Sequence, residues 1–60
     1  MKVAELYKRA DYLQQTGNNK EQTARKLSAE FQACAYVSKN KLWAQYRNEK
    51  QELKVVELSL

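Results

Sequence analysis

The chain contains no proline and no histidine, and only one glycine and one cysteine among its 60 residues. Without histidine and with a single thiol, Cys34, it lacks the ligands of an ordinary zinc site and cannot form a disulfide within the chain. A cysteine nucleophile would have no histidine to activate it. No apolar run is long enough to cross a bilayer, and the first residues, which include Glu5, do not resemble a signal peptide. We therefore expect a cytoplasmic protein that is not an enzyme, needs no cofactor and does not enter a membrane.

Large aliphatic side chains are also scarce. Seven leucines, four valines and one phenylalanine are present, and isoleucine is absent. A chain this short is close to the minimum at which one apolar core sustains a fold. Because no disulfide or metal site can add stability, association with another chain is the remaining source of it. We expect one small domain over residues 1–60 that forms a homodimer.

Helical periodicity and one turn signal define the first part of the chain. Apolar side chains recur at helical spacing from Val3 to Leu13, and Gly17 suits the left-handed residue that follows a helix end. Asn18 or Asn19 can then cap a second helix, with an acidic or amide side chain three residues later, as in a capping box. The pattern predicts a first helix near 2–15 and a second helix that starts near 19.

After residue 19 no glycine or proline interrupts the chain. Ser38 is a good helix cap, so we predict an all-α domain of three helices near 2–15, 19–36 and 38–55. The rival is a two-helix hairpin with a long second helix, and a break near 28–29 is a third option. The segment 54–60 suits either a fraying helix end or a short strand. On this interpretation Cys34 lies in an alanine-rich helix and is expected to be buried and inert.

The net charge of +4 is unevenly distributed. Residues 31–48 contain three cations and no acid, with two tyrosines and Trp43 among them. On a helix that begins at Ser38, cations at positions 39, 47, 50 and 54 would flank the indole. Such a face suits a nucleic acid, because the cations neutralise phosphates while the indole stacks on a base. The alternative is that Trp43 seals the edge of the core and the cations are solvated.

Two segments resemble the helix-turn-helix motif of Fis- and Cro-like bacterial and phage DNA-binding regulators. Residues 20–29 are similar to its first helix, with Ala24 at the family's small position and Leu27 at an apolar one. Residues 37–47 are similar to the start of its recognition helix, which Ser38 would cap. Leu27 and Val37 are ten positions apart, whereas the family joins the two halves by a turn of three or four residues. The resemblance implies a transcriptional regulator that binds duplex DNA through its third helix.

This interpretation assigns a role to each candidate residue. Asn40 would read base edges, because an amide can bond bidentately to adenine. The remaining nucleic-acid contacts would come from Lys20, Arg25, Lys39, Lys41, Trp43, Arg47 and Lys50. Aliphatic side chains near the C-terminus exceed what the monomer core needs and predict a dimer or partner interface formed by Leu53, Val56, Leu58 and Leu60.

Two other functions remain open from the sequence. In the first, the protein is a helical interaction module or inhibitor that docks on a protein partner through aromatic and C-terminal aliphatic side chains, with Trp43 as a hot spot. In the second, the same cations and aromatic rings bind RNA, whose single-stranded bases are open to stacking. The partner is thus expected to be nucleic acid, with DNA favoured, or a protein.

Overall fold

The computed structural model describes residues 2–59 as two helices followed by a three-stranded antiparallel sheet. The elements are α1 (Val3–Gln15), α2 (Lys20–Glu30), β1 (Ala33–Ser38), β2 (Lys41–Arg47) and β3 (Leu53–Glu57). The strands are adjacent in chain order, with β2 in the centre and β1 and β3 at the edges.

The prediction of an all-α domain with three helices is wrong, and so is the two-helix rival. The first helix is confirmed, but the second ends at Glu30 instead of continuing to residue 36. The segment predicted as a third helix contains the end of β1, the hairpin turn, β2, a loop and part of β3, so the predicted recognition helix and the three-helix arrangement are wrong. β-branched and aromatic side chains such as Val37 and Trp43 favour strands, and here they alternate between two faces of a sheet.

The end of α1 and the start of α2 follow the predicted signals. Gly17 has a φ of +97°, and the Asn18 N–H donates to the Leu13 carbonyl at 3.1 Å, which closes the helix end. Asn19 caps α2 through a full capping box. Its Oδ1 accepts the Gln22 N–H at 2.8 Å, while Gln22 Oε1 accepts the Asn19 N–H at 3.1 Å.

A two-residue turn joins β1 to β2 between the paired residues Ser38 and Lys41. Its central residues, Lys39 and Asn40, have φ values of 53° and 61°. Positive φ at both central positions defines a type I′ turn, whose twist matches that of the flanking strands. Ser38, predicted to cap a helix, is therefore the last residue before a hairpin turn.

The loop between β2 and β3 is a three-residue connection closed by Asn48 and Glu52. The Asn48 N–H donates to the Glu52 carbonyl at 3.0 Å, and Asn48 Oδ1 accepts the N–H groups of Lys50 and Glu52 at 2.9 and 3.0 Å. Gln51 has a φ of 64°, at the position where such a loop favours glycine. An asparagine side chain thus supplies the turn chemistry that would otherwise be expected from glycine or proline.

The helices cover one face of the sheet, which we call the inner face. Alternate residues of β1 and β2 point towards them and show lower exposure than their neighbours. The buried side chains between the helices and the sheet form the core, which contains Leu6, Ala10, Leu13, Ala24, Leu27, Leu42, Ala44, Tyr46 and Leu58. Because no helix lies on the opposite side within residues 2–59, half of the sheet's side chains form a separate surface.

Candidate functional site

The opposite side of the sheet, here called the outer face, is an exposed surface of mixed chemistry. The strand register and the alternation of side chains assign its members. They are Cys34, Tyr36 and Ser38 of β1, Lys41, Trp43, Gln45 and Arg47 of β2, and Leu53, Val55 and Glu57 of β3. The face therefore combines aromatic, aliphatic and basic side chains on one regular scaffold.

Two aromatic side chains lie side by side on this face. Tyr36 and Trp43 are directly opposite each other in the β1–β2 register, and Tyr36 is 38% exposed. The Trp43 Nε1–H donates to the Ser38 carbonyl at 3.0 Å, which fixes the orientation of the indole. Since Trp43 is half-buried, its ring is held in place while part of it stays open to solvent. The pair forms a fixed aromatic platform.

Cations surround the end of the sheet that carries the hairpin turn. Lys39 lies in the turn itself, and Lys41 is the first residue of β2. The N-terminus of α2 lies against the same turn, where Lys20 and Asn40 line one shallow groove with Glu21. Two acids, Glu21 and Glu57, are near this end, and the second is opposite Trp43 in β3. The three lysines give this end an excess of positive charge.

The other predicted contact residues lie elsewhere. Arg47 is on the outer face but at the far end of β2, where its Nη1 donates to the Gln51 carbonyl at 2.9 Å. Lys50 is exposed in the β2–β3 loop. Arg25 is exposed on α2, on the side away from the buried Ala24 and Leu27. The structure thus places Lys39, Asn40, Lys41 and Trp43 at the hairpin end of the sheet, with Lys20 beside Asn40 in the groove on the helix side. Arg25, Arg47 and Lys50 lie apart from this group.

An open cavity of about 600 Å³ lies at the far end of the outer face, beyond the aromatic platform. Polar side chains dominate its lining, with the amides of Gln32, Gln45 and Gln51, the guanidinium of Arg47 and the thiol of Cys34. Cys34 is exposed, so the prediction that it is buried is wrong. The reason is that β1 presents alternate residues to opposite faces, and Cys34 is on the outer one.

The predicted C-terminal interface divides between the core and the outer face. Leu58 is 2% exposed, and its N–H donates to the Leu42 carbonyl at 2.7 Å. Val56 is half-buried against the core, whereas Leu53 is 54% exposed on the outer face beside Val55, which is 52% exposed. Leu60 lies outside the described residues. The aliphatic side chains that remain accessible are therefore those of β3's outer side.

The ion pair that joins the helices is remote from the outer face. Arg9 Nε and Nη2 donate to the two carboxylate oxygens of Glu30 at 2.8 and 3.0 Å, which links α1 to α2. This hydrogen bonding lowers the pKa of Glu30, and it raises the pKa of Arg9. The Arg9 guanidinium also lies 5.3 Å from the centroid of the Tyr12 ring. Both charged groups are engaged with each other and stabilise the packing of the helices.

Across residues 2–59, no three cysteine or acidic side chains come together in a way that could hold a metal ion. Within the same residues, neither helix has the length and hydropathy needed to cross a bilayer. Comparisons of the chain with protein-family models, with curated proteins and with solved structures find no match.

Proposed function

We propose that the protein binds single-stranded nucleic acid, RNA foremost, on the outer face of its sheet. The observation that carries this proposal is the Tyr36–Trp43 platform next to Lys39 and Lys41. Single-stranded bases are open to stacking on aromatic rings, and a sheet that presents such rings is a recurring RNA-binding surface. The exposed thiol of Cys34 suits a reducing compartment, so we propose a cytoplasmic location.

The aromatic platform supplies the contact with the bases. Stacking of a base on an aromatic side chain contributes about 1–3 kcal/mol and tolerates any base. Because the indole is already held by its hydrogen bond to Ser38, little side-chain entropy is lost when a base stacks on it. Tyr36 and Trp43 therefore offer neighbouring positions for successive bases.

The lysines around the hairpin supply the contact with the backbone. Lys39 and Lys41 flank the platform, and Lys20 extends the same basic region along the groove that it lines with Asn40. Each neutralised phosphate of a single strand contributes about −0.7 to the slope of log K against log salt. Three lysines therefore predict a slope of about −2. Asn40 and Gln45 are the amides placed to discriminate between bases by hydrogen bonding.

Binding can be measured by fluorescence anisotropy of a labelled mixed-sequence RNA, with single-stranded and duplex DNA of the same sequence as competitors. Trp43 is the only tryptophan, so stacking on it also quenches the intrinsic fluorescence of the protein. Lys41→Ala should reduce the salt slope by about 0.7. Lys8→Ala, the same charge change on α1, is the matched control and should leave binding unchanged.

Replacement of Trp43 separates stacking from charge. Trp43→Leu should weaken binding by about 1–3 kcal/mol, roughly 5- to 150-fold, whereas Trp43→Phe should retain most of it. Circular dichroism must first show that both variants are folded. Absence of binding at low salt, preference for duplex over single strands, or equal effects of Lys8→Ala and Lys41→Ala would refute the proposal. Capture of a protein by the outer face with no salt dependence would instead favour the protein-docking function.

A further inference from the structure

The two edges of the sheet differ in how their backbone groups are satisfied. At the β1 edge, the Ala35 N–H, which points away from β2, donates to Ser28 Oγ at 3.0 Å. The same hydroxyl lies 3.4 Å from the Ala35 carbonyl oxygen, to which it donates. A side chain of α2 thus closes the middle of this edge. Natural sheets commonly protect an edge in this way from pairing with another chain.

The β3 edge has no such cover among residues 2–59. The Asn48 N–H donates to the Glu52 carbonyl and the Leu58 N–H donates to the Leu42 carbonyl, which shows that the even-numbered residues of this segment bond to β2. Hydrogen bonding alternates along an antiparallel strand, so Leu53, Val55 and Glu57 direct their N–H and C=O groups outward. The side chains of the same three residues lie on the outer face, two of them as exposed aliphatics.

We propose that a second copy of the chain pairs antiparallel with this edge, so that the two sheets become one sheet of six strands. The two-fold axis passes beside Val55, which lies opposite Val55 of the second copy. Leu53 then lies opposite Glu57 of the second copy, and Glu57 opposite Leu53. Every outward-facing residue of β3 exchanges both of its backbone hydrogen bonds in this register.

Charge and geometry select this register over its neighbours. Shifting it so that Leu53 lies opposite Val55 places Lys54 directly opposite Lys54 of the second copy, and like charges in that position are destabilising. The opposite shift places Leu53 opposite Ser59, which lies beyond the end of β3. In the proposed register Lys54 lies opposite Val56, and Arg47 and Glu57 of different copies are two strands, about 10 Å, apart on the outer face. The selected pairing is thus complete and free of opposed like charges.

The dimer has a consequence for the shape of the outer face. Each copy contributes its aromatic platform to one continuous surface, with Leu53 and Val55 of both copies in the middle. The dimer also adds cross-strand contacts between the β3 side chains of the two copies, which compensates in part for the small core of a 60-residue chain. It does not rest on the proposed nucleic-acid function, because the pairing uses only the edge of β3.

Sedimentation velocity over a wide range of protein concentrations, without nucleic acid, tests the pairing. The chain of 7.1 kDa should sediment as a dimer with a dissociation constant in the micromolar range, since the paired edge is small for a stable interface. Val55→Pro should abolish the dimer, because proline removes an N–H that the monomer does not use but the dimer does. Val55→Thr, which keeps the N–H and suits a strand, should leave the dimer intact.

Cysteine cross-linking in a Cys34→Ser background tests the register independently of variant stability. Residues that form a hydrogen-bonded antiparallel pair have Cα atoms about 5.5 Å apart, within the range that a disulfide bridges. Val55→Cys should therefore cross-link to itself on oxidation, whereas Leu53→Cys should not. A monomer at every concentration, a dimer that survives Val55→Pro, or faster cross-linking of Leu53→Cys than of Val55→Cys would overturn the proposal.

Discussion

Replacing Lys39 by glycine should stabilise the protein. Lys39 has a φ of 53° in the type I′ turn, a left-handed conformation that costs an ordinary L-residue about 1–2 kcal/mol. Glycine adopts it freely but increases the entropy of the unfolded chain, which costs about 0.4–1 kcal/mol. The difference leaves a net gain of about 0.5–1 kcal/mol. For a domain of this size that gain corresponds to a Tm increase of about 2–8 °C.

Lys50→Gly is the matched control, since Lys50 is also an exposed lysine in a connection between strands but has no positive φ. The same chemical change there should lower stability by about 0.4–1 kcal/mol, because only the entropy of the unfolded chain changes. Both variants lose one positive charge, so the difference between them reports the backbone conformation of Lys39. Thermal and urea unfolding followed by circular dichroism, at one fixed protein concentration, gives the two values.

The sign of the Lys39→Gly effect also distinguishes the hairpin from the helix that the sequence suggested over 38–55. In a helix, glycine is about 0.8–1.0 kcal/mol less favourable than alanine, so both lysine replacements would destabilise the protein. A lower Tm for Lys39→Gly would therefore refute the turn. If Lys39 contacts phosphates as proposed, the same variant should bind RNA more weakly although it is more stable.

The remaining predictions concern the cap of α2, the ion pair between the helices and the thiol. Asn19→Ala should cost about 1 kcal/mol in urea unfolding, because it removes the acceptor of the Gln22 N–H. The hydrogen bond from Arg9 lowers the pKa of Glu30, so the pair stabilises the fold fully at a pH above the ordinary carboxyl pKa. This stabilisation is lost as the pH falls through the lower pKa of the folded state. Glu30→Gln should therefore flatten the acidic part of a plot of stability against pH. Cys34 should react rapidly with a thiol reagent in the native protein, and slow labelling that requires denaturant would contradict its position on the outer face.

Local signals in the sequence predicted the helical half of the fold. Gly17 and Asn19 act within a few residues of their own positions, so their roles in ending α1 and starting α2 could be recognised without knowledge of the tertiary structure. The break near 28–29 and the strand option for the tail came closest to the observed end of α2 and to β3. Neither place is marked by a glycine or a proline, so the sequence alone does not favour these two alternatives.

The strands were missed because their turns use unusual residues. A type I′ turn is normally recognised by Asn-Gly, whereas this one has Lys39 and Asn40, and the β2–β3 loop has Gln51 in place of glycine. Buried and exposed residues alternate along β1 and β2, as expected for strands. The apolar residues of these segments, however, also fit one stripe of a helix. The β propensity of Val37 and its aromatic neighbours was the signal that could have decided between them.

Part of the predicted site keeps its arrangement although the segment is a strand and not a helix, and the reason is geometric. Positions 39, 43 and 47 are four residues apart, and that spacing keeps side chains on one side of a helix and also on one face of a strand. Trp43 and Arg47 therefore share a face in either structure, although Lys39 lies in the turn near Trp43 and Arg47 lies at the far end of β2. Lys54 does not share this face, because the outer-face residues of β2 and β3 are all odd-numbered, and Lys54 lies on the inner face beside Tyr46.

The position of Trp43 on the open side of the sheet is consistent with the binding role proposed for the outer face. Beneath the helices, β1 and β2 place three alanines, Ala33, Ala35 and Ala44, together with Val37, Leu42 and Tyr46, whereas Tyr36 and the only tryptophan, Trp43, are on the side without helices. Full burial of an aromatic side chain removes about 150–250 Å² from water, or about 4–6 kcal/mol at 25 cal/mol per Å². A chain with so few large apolar residues would gain most from using its tryptophan in the core. On the open face, Trp43 is only half-buried and contributes less to the stability of the monomer. A binding partner that covers the indole would remove the rest of its surface from water.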